Sequence, residues 1–88
     1  MKNSKIEVIQ KISDSYYLQP NEKCVMTILS LMSNSDNCVT ISLSKLSLKI
    51  NIDPNSVWRI ITSLVKKKYI KRFDSEIDKR IKTYEILI

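Results

Sequence analysis

Apolar residues recur every three or four positions in four segments of the chain, and short polar stretches separate these segments. This periodicity predicts helices over residues 5–13, 20–32, 43–50 and 54–67, although the alternation of Ile6 and Val8 also permits a strand at the start. The positions expected to face a core are Ile6, Ile9 and Ile12, then Val25, Ile28, Leu29 and Met32, then Leu43, Leu46 and Ile50, and finally Val57, Ile60, Ile61 and Leu64. A chain of 88 residues has room for one domain, so we expect the helices to share one modest core.

Residue types at the helix ends support these boundaries. Pro20 and Pro54 suit the first helical position, and Asp53 can cap the helix that Pro54 begins. Ser42 can cap the third helix in the same way, and residues 4–7 have the form of a capping box for the first. The chain has no glycine, so we expect Asn51 to adopt the left-handed conformation with which many helices end.

Short β-branched and aromatic runs predict three strands, over residues 39–41, 69–73 and 80–88. A turn over residues 74–79 joins the last two, and Tyr84, Ile86 and Ile88 share one face of the final strand. The predicted fold is a small α+β domain, mainly helical, with a three-helix core, a C-terminal β-hairpin and an extra short N-terminal helix. Residues 1–17 should form that helix and its connector, with Tyr16, Tyr17 and Leu18 packed on the body, and residues 18–88 should form the main domain.

The positive charge of the chain is concentrated in one region. The net charge is +6, and the segment from Lys45 to Lys82 has eleven Lys or Arg residues against four acids. The remainder of the chain has four bases and five acids. A basic surface of this kind favours a polyanionic partner, although a solvated surface that only aids solubility would have the same composition.

Several classes of function are disfavoured by what the sequence lacks. With Cys24 and Cys38 as the only cysteines and no histidine, we predict no metal site and no cofactor. Cys24 is expected to be a small core residue of a reduced, cytoplasmic protein, associated with the nucleoid or, if phage-encoded, in the host cytoplasm. There is no Gly-rich phosphate loop and no catalytic motif, so we predict no enzyme activity. No apolar run approaches the roughly 20 residues that span a bilayer, so we predict no membrane association. We also predict no small-molecule ligand.

Residues 42–70 have the layout of a helix-turn-helix, and residues 18–88 as a whole resemble the winged helix-turn-helix family. Residues 42–53 resemble its positioning helix and turn, residues 56–61 its recognition helix, and residues 64–70 the exit into the wing. Residues 18–23 resemble the opening of the first helix in replication initiators of plasmids, phages and related mobile elements. Three features depart from the pattern: Asn51 and Lys68 stand where glycine is usual, Gln19 where a Ser or Thr cap is usual, and Trp58 where a small polar residue is usual.

The resemblance implies sequence-specific binding of double-stranded DNA. The initiator subset implies origin recognition, with the chain as the DNA-binding domain of a mobile-element replication initiator. The alternative is a small phage or plasmid transcriptional regulator, which would form a homodimer through the N-terminal helix. A second alternative is a protein–protein interaction module, which Trp58 and the acidic hairpin tip would favour.

An α-helix fits the major groove of B-DNA and presents exposed side chains of its first turns to the base edges. If the apolar positions of residues 54–67 face inward, the residues expected to read bases are Asn55, Ser56, Trp58, Arg59 and Thr62. Arg59 is the first candidate, because a guanidinium pairs bidentately with guanine O6 and N7, and Asn55 could pair with adenine. Trp58 could instead pack under the hairpin or against the N-terminal helix.

Phosphate contacts are expected around the helix pair and the hairpin, from Ser42, Ser44, Lys45, Lys71, Arg72, Lys79 and Arg80. The acids at the hairpin tip, Asp74, Glu76 and Asp78, argue against deep insertion of this tip into a groove. At the far end of the recognition helix, residues 66–68 are all lysine. We expect them to form a solvated basic end that suits the helix dipole.

Overall fold

The computed structural model describes residues 5–75 and 77–88. These residues form, in order, α1 (Lys5–Ser13), α2 (Pro20–Met32), β1 (Cys38–Ser42), α3 (Leu43–Ile50), α4 (Pro54–Lys66), β2 (Ile70–Asp74) and β3 (Ile81–Ile86). Every predicted helix and strand is confirmed, with boundaries within one or two residues of those expected. The capping box expected at residues 4–7 begins outside the described residues.

The helix pair α3–α4 packs on α2, and the β2–β3 hairpin follows α4 directly. This is the winged helix-turn-helix arrangement, with α4 in the place of the recognition helix and the hairpin as the wing. The buried residues that join the helices are Val25, Met26, Leu29, Leu46, Val57, Ile61 and Leu64. Because these residues come from three helices, the exposed side of α4 is held in a fixed position on a rigid core.

The strands form one antiparallel sheet in the order β1–β3–β2, so the last strand lies between the other two. Val39 of β1 and Arg72 of β2 both lie opposite Tyr84 of β3, which places these three residues on the same face. That inner face covers the helices, and its buried residues are Val39, Ile41, Ile70, Tyr84 and Ile86.

Positive φ angles fall on Asn37, Asn51 and Lys68 within the described residues. Asn51 ends α3 at φ 62° and ψ 41°, and its N–H donates to the Ser47 carbonyl, as predicted for the left-handed cap. Lys68, after α4, also has a positive φ, at 64°. A lysine in this region costs more than a glycine would. The turn is closed by hydrogen bonds from the Lys68 and Tyr69 N–H groups to the Val65 and Leu64 carbonyls.

Helix α1 docks through a face rotated from the one that its isoleucine spacing predicted, and Ile12 belongs to both. Val8 and Ile12 are buried, Ile9 is half-buried, and Ile6 is 78% exposed. Residues four apart lie on one side of a helix, so Val8 with Ile12 forms as regular a stripe as the predicted one. The sequence pattern alone does not decide between the two.

Two further expectations about burial are wrong. In the connector Leu18 is buried as predicted, but Tyr16 is fully exposed and Tyr17 is 78% exposed. Cys24 is also exposed, because α2 turns the side with Val25, Met26 and Leu29 toward the core and Cys24 lies outside it.

Candidate nucleic-acid interface

The first turn of α4 is fixed by a cap that uses two side chains. Asp53 accepts from the Ser56 backbone N–H at 3.0 Å and from the Ser56 hydroxyl at 2.6 Å. These hydrogen bonds hold the pKa of Asp53 below its usual range, and the bond from the hydroxyl has the larger effect. The helix start is therefore anionic at neutral pH, and the Ser56 hydroxyl serves the cap in the free protein.

The predicted base-reading residues differ in how they are presented. Asn55 and Arg59 are exposed, and Trp58 is 37% exposed. Thr62 is half-buried, and its hydroxyl is enclosed without a hydrogen-bond partner among the described residues. Arg59 and Thr62 line a shallow depression between Trp58 and Lys66 along the outer side of α4. Asn55 and Arg59 thus have the freest side chains of the predicted set.

Trp58 lies against the wing. The Arg72 guanidinium carbon is 4.2 Å from the centroid of the Trp58 ring, and the Lys82 ammonium is 5.8 Å from it. Both cations lie within the distance at which the face of an aromatic ring attracts positive charge. Of the two structural alternatives for Trp58, the structure shows the first, with packing beside the hairpin.

Two of the wing acids are neutralised within the wing. Lys82 donates to Asp74 at 2.7 Å, and Arg80 forms a two-point contact with Asp78, with both distances 3.1 Å. The hydrogen bond from Lys82 lowers the pKa of Asp74, and that from Arg80 lowers the pKa of Asp78. The pairs leave fewer free acids near the wing tip than the sequence indicates.

A basic pocket of about 270 Å³ forms where the start of α3, the exposed side of α4 and the wing meet. Its lining includes Ser44, Trp58, Lys79, Arg80 and Lys82. The Tyr84 ring closes it from the core side, and burial raises the pKa of the Tyr84 hydroxyl. That hydroxyl is enclosed with no partner among the described residues. Three cations line one opening, which suits a phosphate group, and a phosphate there would compete with Asp78 for Arg80 and with Asp74 for Lys82.

The remaining predicted phosphate ligands lie in other places. The Ser42 hydroxyl accepts from the Lys45 backbone N–H at 3.2 Å and so caps α3, as predicted. Lys45 is exposed beside Lys49, in a separate groove between α3 and the sheet. Lys71 lies next to Arg72 in β2 but on the outer face of the hairpin, with its ammonium 5.2 Å from the Phe73 ring. The side chains of Lys71 and Arg72 therefore lie on opposite faces of the wing.

The three lysines at the end of α4 are exposed as expected, but one of them also has a structural partner. Lys66 and Lys68 are exposed, but the Lys67 ammonium lies 2.8 Å from Glu22 and 2.6 Å from the Tyr17 carbonyl. Lys67 thus holds the end of α4 against the start of α2. Sequence reasoning also missed Lys82, whose place in the basic pocket follows from its register opposite Asp74 in the hairpin.

Residues 5–75 and 77–88 contain neither a candidate metal site nor a helix that could span a membrane. No cluster of three or more acidic, cysteine or histidine side chains that could hold a metal ion occurs among them. Within the same residues, no helix has the length and apolarity needed to cross a membrane.

Comparison with known families shows where this chain belongs. Residues 26–82 match the model of the MarR family. The match runs from the second half of α2 through β1, α3, α4 and β2 to the first two residues of β3. The chain is therefore a member of the MarR family. The winged helix-turn-helix resemblance is confirmed, whereas nothing in the comparisons supports the replication-initiator subset.

Solved structures agree on the fold. The adhesin competence repressor AdcR of Streptococcus pyogenes is 20% identical, with a TM-score of 0.64 over 93% of this chain and 56% of that one. A possible transcriptional regulator of Methanosarcina mazei Go1 is 21% identical, with a TM-score of 0.65 over 99% of this chain and 69% of that one. A mutant of E. coli MarR solved with operator DNA is 19% identical, with a TM-score of 0.59 over 94% and 55%. No sequence among the curated proteins matches the chain.

The lengths differ in one consistent way. The present chain spans little more than half the length of AdcR and of E. coli MarR, although nearly all of it is matched. The shared part includes the winged helix-turn-helix.

Proposed function

We propose that this chain binds double-stranded DNA sequence-specifically and acts as a transcriptional regulator. The observation that carries the proposal is the basic pocket beside α4, which is lined by Ser44, Lys79, Arg80 and Lys82. It lies next to the side of α4 on which Arg59 is exposed. Such a site can grip a backbone phosphate while α4 lies in the major groove. Membership of the MarR family and the likeness to a MarR structure solved with operator DNA support regulation over origin recognition.

In this mode Asn55 and Arg59 read base edges, because they are the freest side chains on the first turns of α4. Trp58, Ser56 and Thr62 lie at the margin of that surface and support it. Ser44, Lys79, Arg80 and Arg72 contact the phosphates nearest the wing, while Lys45 meets the backbone from the α3 side. Lys71 and the capping residue Ser42 contribute least to binding.

We propose that the regulator works as a homodimer on a two-fold site. One module of this size binds weakly alone, and linking two of them multiplies affinity. A dimer would place two α4 helices in major grooves about one helical turn of DNA apart. The proposal includes no enzyme activity, no cofactor and no small-molecule ligand, and places the protein in the cytoplasm, where it meets DNA.

Binding to random-sequence duplexes, followed by selection of the bound fraction, tests the function directly. We expect a defined sequence to be enriched, with log K falling against log salt with a slope of about −4 to −5 for four to six phosphate contacts. A promoter palindrome among the selected sites would agree with regulation, and repeated origin sites without a promoter would favour the initiator reading. Absence of salt-dependent binding would refute DNA recognition and favour a protein partner.

Oligomeric state is tested separately by sedimentation of the free chain and of its complex with the selected duplex. We expect two chains on each two-fold duplex. A complex of one chain with one duplex at saturating protein would contradict the dimer but not DNA binding.

A further inference from the structure

The inner face of the wing changes from buried apolar residues near the core to charged residues near its tip. On its inner face Ile70 lies opposite Ile86, Arg72 opposite Tyr84, and Asp74 opposite Lys82. Ile70, Tyr84 and Ile86 are buried, so the first part of this face is anchored by apolar packing. Beyond Tyr84 the inner face of β2 and β3 has only charged residues, so apolar side chains of the hairpin itself do not set its direction there, and pairing with β1 holds only β3, as far as Ile81.

Trp58 lies at this point. Its ring receives the Arg72 guanidinium at 4.2 Å and the Lys82 ammonium at 5.8 Å. Lys82 is itself held by Asp74 at 2.7 Å, and its side chain is only 19% exposed. One helix residue thus contacts both strands of the wing, and the ion pair between those strands closes the cluster.

Two other roles for Trp58 fit the structure less well. Direct base reading would use the ring surface, but Arg72 covers one face of it. A core role would need burial, and the side chain is 37% exposed while Val57 beside it is fully buried. Trp58 is therefore placed between the core and the exposed surface of α4, where its ring meets the wing.

We propose that Trp58 is a positioning residue: through Arg72 and Lys82 it holds the wing at a fixed angle to α4, so that base contacts and flanking phosphate contacts are made in one register. This inference rests on the proposed function for its consequence on DNA, but the contact itself exists in the free protein. We call the contact of Trp58 with Arg72 and Lys82 the clamp. It requires an aromatic ring on α4 and a planar cation on β2, since a guanidinium stacks on a ring and an ammonium does so less well.

The free protein tests the contact without DNA. Trp58 is the only tryptophan of the chain, so fluorescence quenching by acrylamide, a neutral quencher, reports on this ring alone. We expect Arg72→Gln to increase quenching, because the guanidinium no longer covers the ring. Lys71→Gln is the matched control, with the same charge change one residue away on the outer face, and it should leave quenching unchanged. Equal quenching in both variants and the native protein would overturn the clamp.

The consequence is tested by hydroxyl-radical footprinting on a duplex selected by the native protein. For Trp58→Ala and Arg72→Lys we expect protection of the wing flank to be lost, affinity to fall about threefold to tenfold, and base preference opposite α4 to persist. Trp58→Phe, which keeps an aromatic ring, should retain protection of the wing flank. Arg72→Lys keeps the charge, so native protection with this variant would show that charge alone acts and would overturn the proposal.

Two further results would also overturn it. If Trp58→Ala changed the preferred base at one position and kept flank protection, Trp58 would be a base reader. If Trp58→Ala and Trp58→Phe were both indistinguishable from the native protein, the ring would have no role in positioning. Circular dichroism checks that each variant is folded, and if Trp58→Ala is not, Trp58→Phe and Arg72→Lys decide. A native protein that binds no duplex would refute the proposed function, and the quenching comparison would still decide whether the clamp exists.

Discussion

Glu22 at the start of α2 and Lys67 just after α4 form an ion pair with a nitrogen-to-oxygen distance of 2.8 Å across 45 residues of sequence. The same carboxylate accepts from the Gln19 backbone N–H at 2.8 Å and from the Ser63 hydroxyl at 2.7 Å. Glu22 is only 4% exposed, so each of these partners satisfies a charge that water reaches poorly. The cluster fixes the C-terminal end of the proposed recognition helix to the rest of the domain.

Removing either member of this pair should destabilise the fold. We expect Glu22→Gln to lower the free energy of unfolding by about 1–2 kcal/mol, a range reduced because the Lys67 side chain is 33% exposed. Lys67→Met should lower it as well, since it leaves the Glu22 carboxylate without its cation. Urea unfolding followed by circular dichroism measures both. Lys66→Met is the matched control, because Lys66 is exposed on the same helix end, and a loss equal to that of Lys67→Met would contradict the assignment.

The same carboxylate predicts how stability depends on pH. Burial alone would raise the pKa of Glu22, but hydrogen bonds from Gln19, Lys67 and Ser63 together lower it below its ordinary value of 4.5. A depressed pKa in the folded state adds stability that is present above 4.5 and is lost as pH falls through the folded value. Unfolding free energies measured from pH 7 down to acid should therefore fall more steeply for the native protein than for Glu22→Gln. Parallel curves would show that another acid governs the acid limb.

The boundaries of the elements could be predicted because their signals are local. Pro54 after Asp53 begins α4, and Asn51 ends α3, each for reasons that depend on the neighbouring backbone alone. The face on which a helix docks is not local. Ile6 and Val8 compete for the same core, and only the position of α2 decides that Val8 is buried.

The sequence predicts which residues of the candidate site are exposed, but not which side chains contact one another. Asn55 and Arg59 are exposed as the helical period requires, whereas the partner of Trp58 depends on the register of a hairpin some 14 residues further along. A shift of one residue would turn Arg72 outward and Lys71 inward, so the stack cannot be read from composition. The contact between Lys67 and Glu22 likewise needs two distant helix ends to meet.

Base reading and phosphate contact should separate in two variants. Arg59→Ala should relax the base preference at one position, because a bidentate contact is worth on the order of 1–3 kcal/mol of discrimination. Lys45→Ala should weaken all duplexes about equally and make the salt slope shallower by about one. Selection from random duplexes measures the first, and titrations at several salt concentrations measure the second. An unchanged preferred sequence with Arg59→Ala would mean that α4 lies in the groove in another orientation.

The acids of the wing should restrain binding to arbitrary DNA. Asp78 holds Arg80 through two contacts of 3.1 Å, and Arg80 lines the basic pocket, so a phosphate there competes with Asp78 for the guanidinium. We expect Asp78→Asn to raise affinity for unrelated duplexes and to steepen the salt slope by about one, as one more cation becomes free to release counterions. Asp14→Asn, in the exposed connector, makes the same change in net charge away from the wing. Equal effects of the two variants would show that net charge alone acts. A fall in affinity with Asp78→Asn would show instead that Asp78 orients Arg80 for binding, because the pair would then help the complex rather than compete with it.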